Sequence, residues 1–289
     1  MNRDFLTFGD LPEGEAIPVL ARASELAAAW SERRMPATLN GRRVALVVND
    51  GGWRNTTAFQ LGVSALGGVC VAAPIRLDGA EAVPDLAAYL DNWVDAAIVR
   101  APDLSLMRSF AEAAVAPIIN ARTRQNHPCE TLGDLAHYWS RHRRLENLKV
   151  AVIAPRSNIL GSWIEAAQAL QLEVVQIFPE GWHDPSPSTD GFRTSTDMNE
   201  ARDADIIVTD CWPEDGDARQ LAAYRVTAAL LNGSRPDVEF LPCPPVTRGQ
   251  EVSTDAMTHP RCTVVQAKAF LLHSQNALLE WVLVAKRQG

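Results

Sequence analysis

The stretch from Val44 to Gly62 constrains the chain more than any other, reading Val-Ala-Leu-Val-Val-Asn-Asp-Gly-Gly-Trp-Arg-Asn-Thr-Thr-Ala-Phe-Gln-Leu-Gly. An apolar run of strand length breaks at a glycine pair, turns through Trp53, Arg54, Asn55 and Thr56, and re-enters a helix-like pattern. A strand followed by small and hydroxylated residues at a helix start aims backbone N–H groups and the positive helix end at one point, the usual way of holding a phosphate. Arg54 adds a planar fork that matches phosphate oxygens.

The rest of the chain repeats this alternation of strand and helix, which is the order of an α/β protein with largely parallel sheets. Periodicity predicts a helix over 12–31, a strand over 43–48, a helix over 56–66 and a strand over 69–73. It then predicts a helix over 83–93, a strand over 96–100, a helix over 103–114 and a strand over 115–120. A longer helix over 129–142 carries the chain to a strand at 149–154, and the pattern begins again. It continues with a helix over 159–170, a strand over 174–178, a helix near 197–202 and strands over 205–209 and 239–242. The Pro/Ser/Asp-rich run 179–195 reads as an exposed loop, and Val264 to Val284 as a final amphipathic helix long enough to return to the first half. The boundary falls near residue 145. We expect two domains, 1–143 and 144–289, with a last helix over 264–285 packing back on the first, and no internal sequence repeat.

With 289 residues the chain is long enough for two such cores. Its 27 basic against 35 acidic residues give a net charge of −8, with no long basic run, which argues against nucleic acid and anionic membrane surfaces as partners. No apolar stretch reaches the roughly 18 residues of a membrane helix, and Met1 to Phe5 begins no secretory segment, so a cytoplasmic location is expected. Cys70, Cys129, Cys211, Cys243 and Cys262 are odd in number and lack C-x-x-C spacing, which suggests neither a disulfide framework nor a zinc site.

Several segments, in order along nearly the whole chain, resemble the aspartate/ornithine carbamoyltransferase family, in its ornithine-like branch. Gly52-Trp53-Arg54-Asn55-Thr56 stands where that family has Ser-Thr-Arg-Thr-Arg, and Phe59 to Gly62 and Leu66 to Gly68 are similar to the helix and glycine pair that follow. Arg100 matches an arginine ending the third strand. His127-Pro128-Cys129-Glu130, with Leu132, Asp134 and Leu135 behind it, resembles the His-Pro-x-Gln motif and its helix. The second half adds Asn158 and Ser162, then Ala204 to Trp212, and finally Pro242-Cys243-Pro244-Pro245 with Arg248-Gly249-Gln250-Glu251-Val252. The last resembles His-Cys-Leu-Pro and Arg-Gly-x-Glu-Val.

The resemblance implies two similar three-layer α/β/α domains with mostly parallel sheets joined by two interdomain helices, the first binding carbamoyl phosphate and the second an amino acceptor. It also implies transfer of a carbamoyl group to an amine without metal or organic cofactor, and a homotrimer. Such a reaction asks for a neutralised phosphate leaving group, a polarised carbonyl and an unprotonated amine held in line. Carried over residue by residue, Arg54 with the N–H groups of Asn55 and Thr56, beside Gly52 and Trp53, would take the phosphate. Arg100 and His127 would polarise the carbonyl, the histidine as hydrogen-bond donor. Glu130 and the carbonyls around Cys243 and Pro244 would accept from the carbamoyl NH2. Arg54, Arg100, His127 and Cys243 are thus the catalytic candidates, with Asn158, Asp210 and Cys243 on the acceptor.

Each of these residues also has a plainer reading. His127 before a proline can cap the next helix, Arg100 can pair with an acidic neighbour, Cys243 can be a small buried apolar group, and Asn158 can cap a turn. His137, His142, His183, His259 and His273 belong to no constellation and read as surface or packing residues. The departures from the family are specific. Thr56 replaces its second loop arginine, Trp53 can close the pocket or stack on the acceptor, and Glu130 brings a negative charge that needs protonation or a partner such as Arg100. Pro213-Glu214-Asp215-Gly216 stands where ornithine enzymes have Ser-Met-Gly, and Lys268 to Leu272 occupies the place of an arginine near the start of the last helix. The loop 75–82 lacks the lysine that aspartate enzymes lend to a neighbour, with Arg76 as a substitute. An acceptor other than plain ornithine or aspartate is expected. A different phosphorylated donor on the same fold, or a non-catalytic ligand-binding or regulatory descendant, remain the alternatives.

Overall fold

A computed structural model describes residues 3–49, 51–186, 188 and 191–284. The described chain forms two compact units, one of residues 3–141 with 268–284 and the other of 142–267. Each is an α/β unit built on a parallel sheet.

The first unit begins with α1 (Ala16–Ser31), followed by β1 (Arg43–Val47), α2 (Trp53–Ala65), β2 (Val69–Ala72), α3 (Val83–Asp91), β3 (Ala96–Arg100), α4 (Leu104–Ala113), β4 (Ile118–Arg122) and α5 (Pro128–His142). Strand order is β2-β1-β3-β4, all parallel. The run Val44 to Val47 is wholly buried, as a central strand covered on both faces must be. Phe5 extends the β4 edge, donating to the Ile118 carbonyl at 2.9 Å and accepting from the Asn120 amide at 2.8 Å. Ala45, Val47, Ala97, Val99, Leu86, Leu90, Met107 and Phe110 pack into one core, and Asp103 caps α4 by accepting from the Leu106 amide at 2.9 Å.

The strand order dictates where a ligand can sit. From β1 the chain steps outward to β2, then returns past β1 to β3 and continues to β4. Right-handed crossovers therefore place α2 on one face and α3 and α4 on the other. The chain ends of β1 and β3 diverge there, leaving a crevice outside their carboxyl ends.

The second unit repeats the logic with β5 (Lys149–Ile153), α6 (Asn158–Leu170), β6 (Glu173–Ile177), β7 (Phe192–Ser195), β8 (Ile206–Thr209), α7 (Ala218–Leu221), α8 (Ala228–Asn232) and β9 (Glu239–Pro242). The order β7-β6-β5-β8-β9 puts its switch between β5 and β8. Ile153, Ile177, Ile207, Leu231, Phe240 and Val252 form its core. The last helix, α9 (Val264–Leu283), counts with the first unit from Lys268 onward.

Two expectations are corrected. Residues 53–56 do not form a loop but the first turn of α2, because Gly52 at φ 65° turns the chain and the helix starts at once. The run 179–195 is not simply an exposed loop. It holds a 3₁₀ turn at Glu180–Trp182 and the strand β7, anchored by buried Phe192 and paired in parallel with β6. Residues 187, 189 and 190 of that run, and residue 285 of the expected last helix, lie outside the described residues.

Candidate active site

The switch point of the first unit gathers Arg54, Arg100, His127 and Glu130. Gly52 is the N-cap of α2, so the amides of Trp53, Arg54 and Asn55 precede the first turn's internal acceptors and lack partners within the helix. The Thr56 amide does not join them. It donates to the Gly52 carbonyl at 3.1 Å, and the Thr56 hydroxyl donates to the same oxygen at 3.3 Å. The amides without an intrahelical partner are thus Trp53 to Asn55 and do not include Thr56, because the helix starts earlier than the sequence suggested.

Arg100 ends β3 and lays its guanidinium against this turn. A Cβ built on Gly52 would stand 1.6 Å from Arg100 Nη1, so glycine is required there for both its positive φ and the close approach of the arginine. Trp53 is 67% exposed, and the Arg54 guanidinium lies 5.0 Å from its ring centroid. The indole therefore holds the protein's own arginine as a cation–π partner.

Behind the turn lies a polar network. Gln275 Nε2 donates to Asn55 Oδ1, a close contact that fixes the amide's orientation. Asn55 Nδ2 then faces His127 Nε2 at 3.2 Å and Glu130 Oε2 at 3.5 Å. With the amide donating, His127 accepts through Nε2 and carries its proton on Nδ1. Burial holds the imidazole down to about 4, reinforced by the charges of Arg100, Arg122 and Lys268 and opposed by Glu130. His127 is neutral at physiological pH, able to donate from Nδ1 without bringing a charge.

Glu130 finds its partner in a residue that the sequence reading passed over. Lys268 Nζ lies 2.8 Å from Glu130 Oε1 and 2.7 Å from Asp134 Oδ1, with all three side chains 10% exposed or less. Burial opposes ionisation of Glu130, yet the charge of Lys268, its hydrogen bond and the charge of Arg54 hold it below the usual carboxylate range, with His127 adding to this only where the imidazole is itself protonated. Burial pushes Asp134 up to about 6, with Lys268 pulling down and Glu130 pushing up. The expected pairing of Glu130 with Arg100 gives way to this one. A signal was present in α9: Lys268 and Gln275, seven residues apart, share a helical face with Leu271 and Leu272. Gly62 lets this helix approach α2, since a Cβ there would meet Asn276 Oδ1 at 2.1 Å.

The remaining candidates occupy the second unit. Asn158 opens α6 after β5, while Ser157 is the cap that accepts from the Leu160 amide at 3.3 Å. Asp210 follows β8, and Cys243 follows β9 with its amide donating to the Thr209 carbonyl at 2.9 Å. These three stand at the carboxyl ends of adjacent strands. Arg76 pairs with Asp78 at 3.1 Å. Of the other histidines, His137 and His273 are buried against Phe270, and His142 meets Glu239 at 2.8 Å. Among the described residues no helix is long and apolar enough to cross a membrane.

A parallel sheet whose switch point gathers helix-start amides, two arginines and a neutral histidine is a frame suited to an anionic ligand. Comparison with known proteins gives that frame its family. Residues 3–140 match the model for the aspartate/ornithine carbamoyltransferase carbamoyl-P binding domain, and residues 146–282 match that for the Asp/Orn binding domain. An ornithine carbamoyltransferase of Psychrobacter arcticus is 30% identical, the match covering 98% of this chain and 97% of that protein. The solved ornithine carbamoyltransferase of Burkholderia thailandensis superposes with a TM-score of 0.91 at 27% identity, covering 99% of this chain and 100% of that one. That of Pyrococcus furiosus superposes at 0.92 with 25% identity, covering 99% and 98%. The chain belongs to the aspartate/ornithine carbamoyltransferase family, a family of transferases.

Proposed function

We propose that the chain transfers the carbamoyl group of carbamoyl phosphate to an amine of an amino acid or related compound other than plain ornithine or aspartate. The observation that carries this reading is the turn at Gly52, where helix-start amides without an intrahelical partner meet the guanidinium of Arg100, with Arg54 on the same first turn. A dianionic phosphate is stabilised there by the helix end and by planar forks, and the same groups stabilise it as it leaves.

In the reaction the amine nitrogen attacks the carbamoyl carbon and the carbon–oxygen bond to phosphate breaks. The nitrogen's proton leaves with inorganic phosphate, giving the N-carbamoyl product. Charge grows on the carbonyl oxygen in the tetrahedral intermediate, where Arg100 and the neutral imidazole of His127 serve as donors. Glu130, ionised and tied on one oxygen by Lys268, keeps Oε2 as an acceptor for the carbamoyl NH2. Asn158, Asp210 and Cys243 are the acceptor-binding residues in this reading. The departures at 213–216 from the ornithine pattern support a different amine.

The test is phosphate release from carbamoyl phosphate in the presence of separate amine pools. Amine-dependent release with formation of an N-carbamoyl product is expected. Tight binding of carbamoyl phosphate with no amine-dependent release would point to a non-catalytic relative, and absence of binding to another donor.

A further inference from the structure

Arg100 faces two places at once. Its guanidinium lies against Gly52, and the residue also lines a cavity of about 430 Å³ together with Asp78, Arg122, Thr123 and Arg124. None of the α2 residues of the phosphate seat lines that cavity. The neighbourhood is strongly cationic. Arg100 and Arg122 are register partners at the ends of adjacent parallel strands, where the pairing of β3 and β4 is irregular. Like charges side by side at strand ends are destabilising unless something negative lies between them.

Among the described residues, none of the nearby carboxylates pairs with Arg122. Asp78 pairs with Arg76 at 3.1 Å, and Asp103 lies 3.8 Å from Arg124 while capping α4. Arg124 also donates to the Pro102 carbonyl at 3.1 Å. Arg122 is exposed, its carbonyl accepts from the Ala101 amide at 3.1 Å, and its guanidinium makes neither a hydrogen bond nor an ion pair among the described residues. Its charge nevertheless reaches His127, as that of Arg100 does. The cavity shares Arg100 with the turn at Gly52 and adds Arg122 and Arg124, which belong to no part of that turn.

We propose that this cavity is a second anion subsite in which Arg122 takes a carboxylate of the acceptor. This rests on the carbamoyl-transfer reading above. The substrate class that follows is an amine carrying carboxylate groups and no second ammonium. A guanidinium binds a carboxylate through two parallel hydrogen bonds, whereas the extra ammonium of a diamino acid would be repelled by three neighbouring arginines.

The experiment compares wild type with R122L and R122K. Calorimetry measures carbamoyl phosphate alone, then succinate, an unreactive dicarboxylate, in saturating carbamoyl phosphate and separately in saturating inorganic phosphate. Phosphate release is measured with L-glutamate and β-alanine against L-ornithine and L-lysine. We expect wild type to bind succinate and to use the carboxylate-bearing monoamines about tenfold or more efficiently than the diamino acids. R122L should weaken succinate and raise KM for glutamate by about tenfold, R122K should restore part of both, and carbamoyl phosphate should bind all three within about threefold. Preference for diamino acids, succinate binding that ignores R122L, or an equal loss of carbamoyl phosphate would overturn the proposal, the last by assigning Arg122 to the donor phosphate. If carbamoyl phosphate fails to bind wild type, the donor reading falls, while succinate binding in inorganic phosphate still decides the subsite.

Discussion

The two sheets reverse direction in the same way, yet their switch points carry opposite chemistry. In the first unit the crevice outside β1 and β3 is bordered by Arg54 and Arg100, with Arg122 on the next strand and Lys268 behind. In the second, Asp210 follows β8, and burial, with the charges of Asp210 and Glu251, pushes the Cys211 thiol up to about 11. One frame thus presents cations and helix-start amides, the other carboxylates and thiols. The parallel sheet supplies only a place for a ligand, and the side chains at its strand ends decide which.

The difference extends to how each unit holds a buried carboxylate, and this is where the largest effect is expected. Glu130 and Asp134 share the single ammonium of Lys268, all nearly buried, whereas Asp205 in the second unit is held by two half-exposed arginines, Arg144 and Arg235, and by the Lys149 amide. Removing one partner of a buried pair strands a charge, so Lys268→Met should lower stability by about 3–5 kcal/mol in urea denaturation. Lys268→Met with Glu130→Gln should recover a good part of that loss. Arg144→Met, which leaves Asp205 its other partners, should cost only about 1 kcal/mol. Equal losses for the two single variants, or no recovery in the double variant, would show that the pairing in the first unit is not what keeps Glu130 ionised.

A smaller effect, within the first unit, appears with pH. Burial alone holds His273 down to about 4, against about 6.5 in an unfolded chain. The folded state then binds fewer protons between these values, so this stability is present above pH 6.5 and is lost as pH falls toward 4. Asp134, raised to about 6, acts with the opposite sign: its contribution is present below about 3.9 and lost as pH rises through 6. His273→Leu should therefore flatten the loss of stability between pH 6.5 and 4 by about 2–3 kcal/mol, read from urea midpoints at both ends of the window. An unchanged slope would mean that His273 is not the group responsible.

What could be read from the chain beforehand follows the range of the interactions involved. The turn at Gly52 was legible because strand, glycine pair and helix start are contiguous, and the order of strands and helices because each is a local period. Lys268 was not, since it meets Asp134 across 134 residues and only the packing of α9 brings them together. The strand β7 was hidden because Phe192 is its one large apolar residue, Arg193, Thr194 and Ser195 suiting an edge more than a core. The helix start differs for a similarly local reason, the helix beginning at Trp53, directly after the positive φ of Gly52, rather than at Thr56.

The most direct measurement is calorimetric binding of carbamoyl phosphate to the wild-type chain and to Arg54→Ala. Loss of a charge-assisted fork on a dianion should weaken binding by about 2–3 kcal/mol, or roughly 30- to 150-fold, with the folded state intact by circular dichroism. Equal affinity in the two proteins would contradict the placement of the donor at the turn before α2.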